Sequence, residues 1–339
     1  MSVLGDLARL RERPRVYLRI IASTISTGSL LGTLKSRFPF RLPDPDFPRV
    51  VALEFTNFCN LRCPYCAAQT GPVRGQRGFM TDATFSRIVS QLREFPLRTL
   101  RVIGGGEPTA HPRFADFASQ LRGVARISTL TTNGQLFSAK NVFQTVTSFD
   151  IVEISVDGKD AGEYEKYRVG GSFQKLLRGI ELLRSAAAQE RSKMLLHIRI
   201  MLRVSDVERV PELRRYWEQY ADSVSVQHLF DRTGNATNLF TILPNVEASF
   251  RQCEYPFKGM GICWNGDLPL CGAIEERLKV SDGGLLLGNI NNDSLLEIWH
   301  GPLLRQYRKA HRACQPSGAP LCVGCNDVWG QTHAGGGRT

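Results

Sequence analysis

Apolar positions in this chain fall into two alternating patterns. Short runs rich in β-branched and apolar residues read as strands: Val50–Thr56, Thr99–Ile103, Ile127–Thr132, Ile151–Val156, Leu195–Arg203 and Ser223–Phe230. Between them, apolar residues recur at helical spacing. Thr81–Phe95 predicts one helix, Pro112–Leu121 a second that opens on a proline suited to a first turn, and Arg209–Tyr220 another. Ser172 can cap a further helix in which Phe173, Leu176, Leu177, Ile180 and Leu183 share a face. Strands and helices in alternation predict an α/β fold with a parallel sheet, open or curled into a partial (βα)6 barrel. The pattern does not give the order of the strands.

The alternation occupies residues 48–240. Before it, residues 1–47 form a leader that ends in a proline-broken stretch, Pro39, Pro43, Pro45 and Pro48, where a boundary is expected. Past about residue 245 the long helical patterns stop. Tight turns such as Trp264-Asn265-Gly266-Asp267 and Asp282-Gly283-Gly284 take over, predicting a small, loop-rich domain over 245–330 held together by metal. Residues 331–339 read as a disordered tail.

With 42% apolar and 22% charged residues in 339, the chain has the composition of a globular protein with a substantial core. Its net charge is +11, and Arg9, Arg11, Arg13, Arg15 and Arg19 crowd the start. No recognition helix or RNA-binding signature accompanies this charge, so a solvated basic surface is expected and nucleic acid is not. No run of 18 apolar residues occurs: Val16–Leu34 is broken by Arg19 and rich in Ser, Thr and Gly. With no signal-peptide cleavage pattern either, a cytoplasmic protein without an integral membrane segment is expected.

Nine cysteines in such a compartment argue against a disulfide framework. Three lie between positions 59 and 66, none follows until 253, and six lie from 253 to 325, which suggests two metal sites. The first group, Cys59-Asn60-Leu61-Arg62-Cys63-Pro64-Tyr65-Cys66, directly follows the first strand. Three thiolates can hold three irons of a four-iron cluster and leave the fourth without a protein ligand, as a catalytic metal requires. A zinc site and core thiols are the competing readings. The second strand runs into Gly104-Gly105-Gly106-Glu107-Pro108, where a carboxylate beside glycines can meet a cationic amine. Alone, this segment would mean only a loop.

In this order the two segments resemble the radical S-adenosylmethionine (SAM) superfamily, over roughly residues 50 to 230. The resemblance implies that Cys59, Cys63 and Cys66 hold a [4Fe-4S] cluster whose open iron takes the methionyl amine and carboxylate of SAM. It places Tyr65 against the adenine, lets the backbone at Gly105 and Gly106 approach the methionine end, and gives the ammonium to Glu107. Thr131-Thr132-Asn133-Gly134, Ser155-Val156-Asp157-Gly158 and Tyr167-Arg168 also resemble family segments at the barrel mouth, which makes Asn133, Ser155 and Arg168 expected SAM contacts. Asn-Gly and Asp-Gly are equally turn formers, and Arg168 equally suits an anionic substrate or an acidic neighbour. The implied reaction is reductive cleavage of SAM to a 5′-deoxyadenosyl radical that abstracts a substrate hydrogen atom. The electron would come from a donor such as flavodoxin or ferredoxin.

The later cysteines resemble a SPASM-type auxiliary cluster domain in its shortened, twitch-like form. Cys253 and Cys271 enclose the Trp264 turn; then come Leu287-Gly288-Asn289-Ile290, Ser294–Trp299 and finally Cys322-x2-Cys325, with no cysteine beyond. The resemblance implies one auxiliary [4Fe-4S] cluster on Cys253, Cys271, Cys322 and Cys325, with zinc as the rival metal. Cys263 and Cys314 are left over. Cys263, on an expected strand, reads as a buried thiol or as a hydrogen-atom donor to a substrate radical. His228 and Asp231, past the sixth strand, are placed as candidate substrate contacts on position alone, and His228 reads more readily as a satisfied structural histidine. A cluster that accepts an electron from the substrate radical gives dehydrogenation, whereas a thiol that quenches it gives epimerisation. The expected function is a dehydrogenase or epimerase of a small polar, carbohydrate- or aminocyclitol-like substrate. The alternatives are a maturase of a ribosomally made peptide and a non-catalytic iron–sulfur or zinc protein.

Overall fold

A computed structural model describes residues 44–66, 77–203, 206–228, 253–271 and 286–323. The leader up to residue 43, Asp231, the Asp282 turn, Cys325 and the tail lie outside the described residues.

Each expected strand forms: β1 (Val50–Leu53), β2 (Thr99–Val102), β3 (Ile127–Thr132), β4 (Ile151–Val156), β5 (Leu195–Leu202) and β6 (Ser223–His228). They pair in parallel and in sequence order. A seventh strand, β7 (Gly259–Ile262), joins in parallel on the far side of β1, so β1 is not an edge. Parallel pairing needs a crossover between strands. The crossovers carry α1 (Asp82–Leu92), α2 (Phe114–Gln120), α3 (Val142–Ser148), α4 (Ala161–Tyr167), α5 (Phe173–Gln189) and α6 (Val210–Trp217).

Caps fix where several helices start. The Thr81 hydroxyl accepts from Thr84 N–H and the Ser172 hydroxyl from Lys175 N–H, each satisfying an otherwise orphaned first-turn donor. Pro112 does not open a helix. The His111 ring donates through Nε2 to Met80 O at 2.9 Å and accepts at Nδ1 from Arg113 N–H at 3.0 Å, which holds the chain in a turn until Phe114.

β7, the strand expected at Cys263, joins the main sheet although it lies past residue 245. A Gly-Met-Gly-Ile run has little strand propensity of its own; its ladder to β1, Val50 opposite Gly259 through Leu53 opposite Ile262, supplies what propensity does not. Beyond it lie α7 (Tyr255–Lys258, which leads into β7), the antiparallel pair β8 (Asp267–Pro269) and β9 (Leu286–Asn289), α8 (Leu295–Trp299) and α9 (Pro302–Ala313). Leu268, Ile290, Ile298, Trp299, Leu304 and Tyr307 belong to the same apolar core as the sheet. The short segment before β1 is fastened there too: Trp299 Nε1 donates to Pro45 O at 2.8 Å, and Phe47 stacks on Phe95 with ring centroids 3.7 Å apart.

Along β2, β4 and β5 one set of alternate residues, among them Leu100, Val102, Val152, Ile154, Ile198 and Ile200, is buried under the helices. The opposite set carries Arg101, Glu153, Ser155, His197 and Arg199 beside a few apolar residues, and this inner face leads to the site. Between α1 and α2, Phe85 and Phe117 stack at 3.8 Å, with Phe55 edge-on to both. Both Phe85 and Phe117 are 1% exposed. Phe117→Ala is therefore expected to cost about 3–5 kcal/mol of stability, read from the urea unfolding midpoint; a loss under about 1 kcal/mol would show that the stack is not core.

Candidate active site

In a parallel sheet all strands deliver their C-terminal ends to one edge. Here that edge collects the segments of the first block that the sequence marks for chemistry. The cysteine loop leaves β1, the glycine-rich loop leaves β2, Asn133 follows β3, and Ser155 and Asp157 lie at the end of β4.

The glycine-rich loop is pressed against the end of β1. A Cβ at Gly106 would overlap the carbonyl oxygens of Phe58 and Thr56, and one at Gly104 would overlap the Glu54 side chain. Glu107 N–H donates to Phe58 O at 2.8 Å. The Glu107 side chain is only 2% exposed. Its Oε1 accepts from the Thr109 hydroxyl (2.5 Å), Thr109 N–H (3.1 Å) and the Thr132 hydroxyl (2.6 Å), and its Oε2 accepts from Asn133 N–H at 2.7 Å. Burial raises its pKa against the pull of these donors. Glu107 thus joins the loop after β2 to the end of β3, with most of its acceptor capacity used within the protein.

Asn133 continues the chain of contacts. Its amide donates to Asn60 Oδ1 at 2.9 Å and reaches Cys59 Sγ at 4.0 Å, while its Oδ1 accepts from Gln135 N–H at 2.9 Å. The cysteine loop is held from the other side by Arg62 N–H donating to Val169 O at 2.8 Å.

Tyr65 and Arg168 meet on a residue absent from the expected site. Asp157, fully buried, accepts at Oδ2 from the Tyr65 hydroxyl and from Arg168 Nε, both at 2.5 Å. The Arg168 guanidinium lies 5.7 Å from the Tyr65 ring centroid. Burial opposes the charge of Arg168, but Asp157, Tyr65 and Cys63 around it hold its pKa above the ordinary value. Asp157 Oδ1, equally buried, has no hydrogen-bond donor among the described residues. Sequence spacing offered no sign that Tyr65 and Arg168 share a partner; the acidic half of the Asp157-Gly158 turn was the available hint.

Below the mouth, the inner face of the sheet is polar. Glu153 forms an ion pair with Arg199 and accepts from the Thr131 hydroxyl at 3.3 Å; Arg199 also donates to Gln227 Oε1 at 2.8 Å. His197 lies between the hydroxyls of Ser223 (2.7 Å) and Ser225 (2.8 Å). Ser155 stands opposite Arg199 in the β4–β5 register. Burial would raise the pKa of Glu153, but Arg199, His197 and Arg101 outweigh it and keep the carboxylate ionised.

The remaining cysteines lie in the C-terminal segments. Cys253 precedes α7, Cys271 follows β8, and Cys322 ends a 3-10 turn after α9; all three are partly buried. Cys263 is buried directly after β7. Cys314, exposed, ends α9 in the left-handed region at φ 51°.

The matches to known proteins run along the same two blocks. Residues 53–213 match the family model of the radical SAM superfamily, and residues 253–326 match that of the SPASM iron–sulfur cluster-binding domain. The chain is a radical SAM protein with a C-terminal SPASM domain. It is 33% identical over 133 residues to a GTP 3′,8-cyclase from Peptoclostridium acidaminophilum, covering 38% of this chain and 40% of the relative. It is 29% identical over 142 residues to an AdoMet-dependent heme synthase from Methanosarcina barkeri, covering 41% and 40%. Less than half the length of either relative is thus matched. Among solved structures, the chain shares the fold of BtrN in complex with AdoMet and 2-DOIA (TM-score 0.56, 19% identity, 85% of this chain and 97% of that one). It also shares that of Streptococcus suis SuiB bound to S-adenosylmethionine (0.62, 17%, 78% and 68%).

A radical SAM domain implies SAM and a [4Fe-4S] cluster, and a SPASM domain implies auxiliary iron–sulfur binding. The first thiols fit that demand. Burial pushes the Cys59 thiol up to about 12 and raises Cys63, so these sulfurs carry charge only with a cation to stabilise it. Cys59 Sγ accepts from Leu61 N–H at 3.4 Å, the kind of contact that tunes a cluster sulfur, and Cys253 Sγ accepts from Tyr255 N–H at the same distance. Among the described residues no three ligating side chains converge on one point, as a single bound ion would need. Thiols spaced around a multi-iron cluster need not converge.

His197 gives the site a pH signature. Burial pushes its pKa down to about 4, with Arg199 and Arg214 acting in the same direction and Glu153 opposing. Between about pH 6.5, the unperturbed value, and pH 4 the folded state binds fewer protons than the unfolded state. The stability linked to His197 is therefore complete above this window and lost as pH falls through it. Urea midpoints measured across the window are expected to depend less on pH in His197→Gln than in wild type.

Proposed function

We propose that this protein cleaves SAM reductively and abstracts a hydrogen atom from a small polar substrate held over the inner face of the sheet, acting as a dehydrogenase or epimerase. The observation that carries the reading is the gathering, at one sheet edge, of the Cys59–Cys66 loop, the glycine-rich loop and the Asp157–Arg168–Tyr65 cluster. When bound, the cluster supplies the electron that breaks a C–S bond of SAM and releases the 5′-deoxyadenosyl radical.

The chain's own residues provide place and environment. Cys59, Cys63 and Cys66 would hold the cluster, which would offer an iron without a protein ligand to the methionyl amine and carboxylate. Gly105 and Gly106 let the backbone approach the methionine end, Gly106 being pressed against the Thr56 and Phe58 carbonyls, and Glu107 fixes that loop against Thr132 and Asn133. Tyr65, anchored through its hydroxyl, offers its ring to the adenine. Asp157 Oδ1, still short of a donor, suits a hydroxyl of the nucleoside. Asn133, Ser155 and Arg168 complete the SAM surroundings.

The inner face supports a polar substrate. Thr131, Glu153, His197, Arg199 and Gln227 line it with paired donors and acceptors, and Arg199 Nε, buried without a partner among the described residues, is left to meet an acceptor on the substrate. Cys253, Cys271, Cys322 and Cys325 hold the auxiliary cluster, the electron acceptor in a dehydrogenation. In an epimerisation Cys263 is the hydrogen-atom donor. It follows Ile262, which lies opposite Leu53, so strand alternation sets it level with Glu54 on the inner-face side.

Anaerobic reconstitution with iron and sulfide, followed by SAM and a strong reductant, tests the reading. Formation of 5′-deoxyadenosine is expected, falling to background in Cys59→Ala, Cys63→Ala or Cys66→Ala. Iron is expected at about eight atoms per chain, from two four-iron clusters. About four irons with one zinc would remove the auxiliary cluster, and a protein that binds no iron would remove the enzyme. Turnover of a ribosomally made peptide rather than a small polyol would assign it to the peptide-modifying alternative.

A further inference from the structure

β1 ends in a buried carboxylate to which none of these roles assigns a purpose. Glu54 is 9% exposed. Its Oε1 accepts from the backbone N–H of Gly105 at 2.7 Å, and its Oε2 accepts from the backbone N–H of Trp264 at 3.3 Å. Burial raises its pKa, and the two N–H donors oppose the shift. The donors come from distant segments: Gly105 belongs to the loop after β2, and Trp264 opens the turn after β7, at the start of the SPASM region.

Packing leaves little slack around this junction. Gly104 abuts the Glu54 side chain, and Gly106 abuts the carbonyls of Thr56 and Phe58, so the Gly105 amide is held from both sides. The Trp264 ring covers Gly78, where a Cβ would collide with it. Gly78 in turn is tied to the entry of the cysteine loop: its carbonyl accepts from the Thr56 hydroxyl at 2.5 Å, and its N–H donates to Asn57 Oδ1 at 2.9 Å. Trp264 therefore bears on the glycine-rich loop through Glu54 and on the return limb of the cysteine loop through its ring.

We propose that Glu54 is a positioning residue that couples the SAM-binding loop to the SPASM domain, by sharing one carboxylate between the Gly105 and Trp264 amides. The inference rests on the reading that SAM binds at the glycine-rich loop. Two segments held by one rigid acceptor move together, so an event that orders one orders the other. Linkage makes the effect reciprocal: SAM stabilises the Trp264 turn, and an undocked Trp264 turn weakens SAM binding. Gln in place of Glu54 presents one acceptor and one NH2 group to two N–H donors, and so can satisfy only one of them.

Amide hydrogen exchange on the reconstituted holoprotein, with and without SAM, tests the coupling. In wild type, SAM is expected to slow exchange in the peptide that carries Gly105 and also in the peptide that carries Trp264. In Glu54→Gln the SAM-dependent protection of the Trp264 peptide is expected to vanish while that of the Gly105 peptide persists. SAM affinity in this variant is expected to fall about fivefold or more. Glu54→Asp, which keeps the charge but shortens the reach, is expected to fall between. Wild-type holoprotein that binds SAM with no change at Trp264 overturns the proposal without needing any variant to fold, as does equal Trp264 protection in Glu54→Gln. Wild-type holoprotein that binds no SAM overturns the functional reading and this coupling with it.

Discussion

The parallel pairing of β1 on both sides is the constraint from which the rest follows. With β2 on one flank and β7 on the other, β1 has its ladder satisfied and its direction fixed. Its C-terminal end therefore emerges in the interior of the sheet edge, between the glycine-rich loop after β2 and the turn after β7. A cysteine loop on an edge strand would have neighbours on one side only. Here it has them on both, and the SPASM region contributes one of the two.

The polar residues at this edge act in sets. Asp157 holds Tyr65 and Arg168, Glu107 holds Thr109, Thr132 and Asn133, and Glu54 holds Gly105 and Trp264. Burying a carboxylate is costly unless donors surround it, and each of these carboxylates recruits its donors from separate stretches of chain. The burial that raises the pKa of Glu107 and Glu54 also makes those donors hard to give up. These contacts tie the glycine-rich loop to the ends of β1 and β3 and to the turn after β7.

Local signals explain what the sequence made legible. Strands β1 to β6 and the starts of α1 and α5 follow from apolar runs, alternation and the caps Thr81 and Ser172. The cysteine and glycine-rich loops stood out because in that order they resemble the radical SAM superfamily, whose family model matches residues 53–213. That the strand expected at Cys263 pairs with β1 was hidden, since two glycines in four residues carry little strand preference of their own. The Pro112 helix start failed because His111, through Met80 and Arg113, commits the chain to a turn first. Asp157 and Glu54 were missed for one reason: each gathers partners from separate stretches, the farther ones 92 and 210 positions away, and no periodicity reports a contact at that distance.

The central claim is that the Cys59, Cys63 and Cys66 thiolates hold an iron–sulfur cluster with one iron left for SAM. Electron paramagnetic resonance of the reduced, anaerobically reconstituted protein addresses it directly. On adding SAM, the account predicts a change in the signal of the cluster on the first three cysteines, with the auxiliary signal unmoved. A reduced spectrum that SAM leaves wholly unaltered contradicts the account.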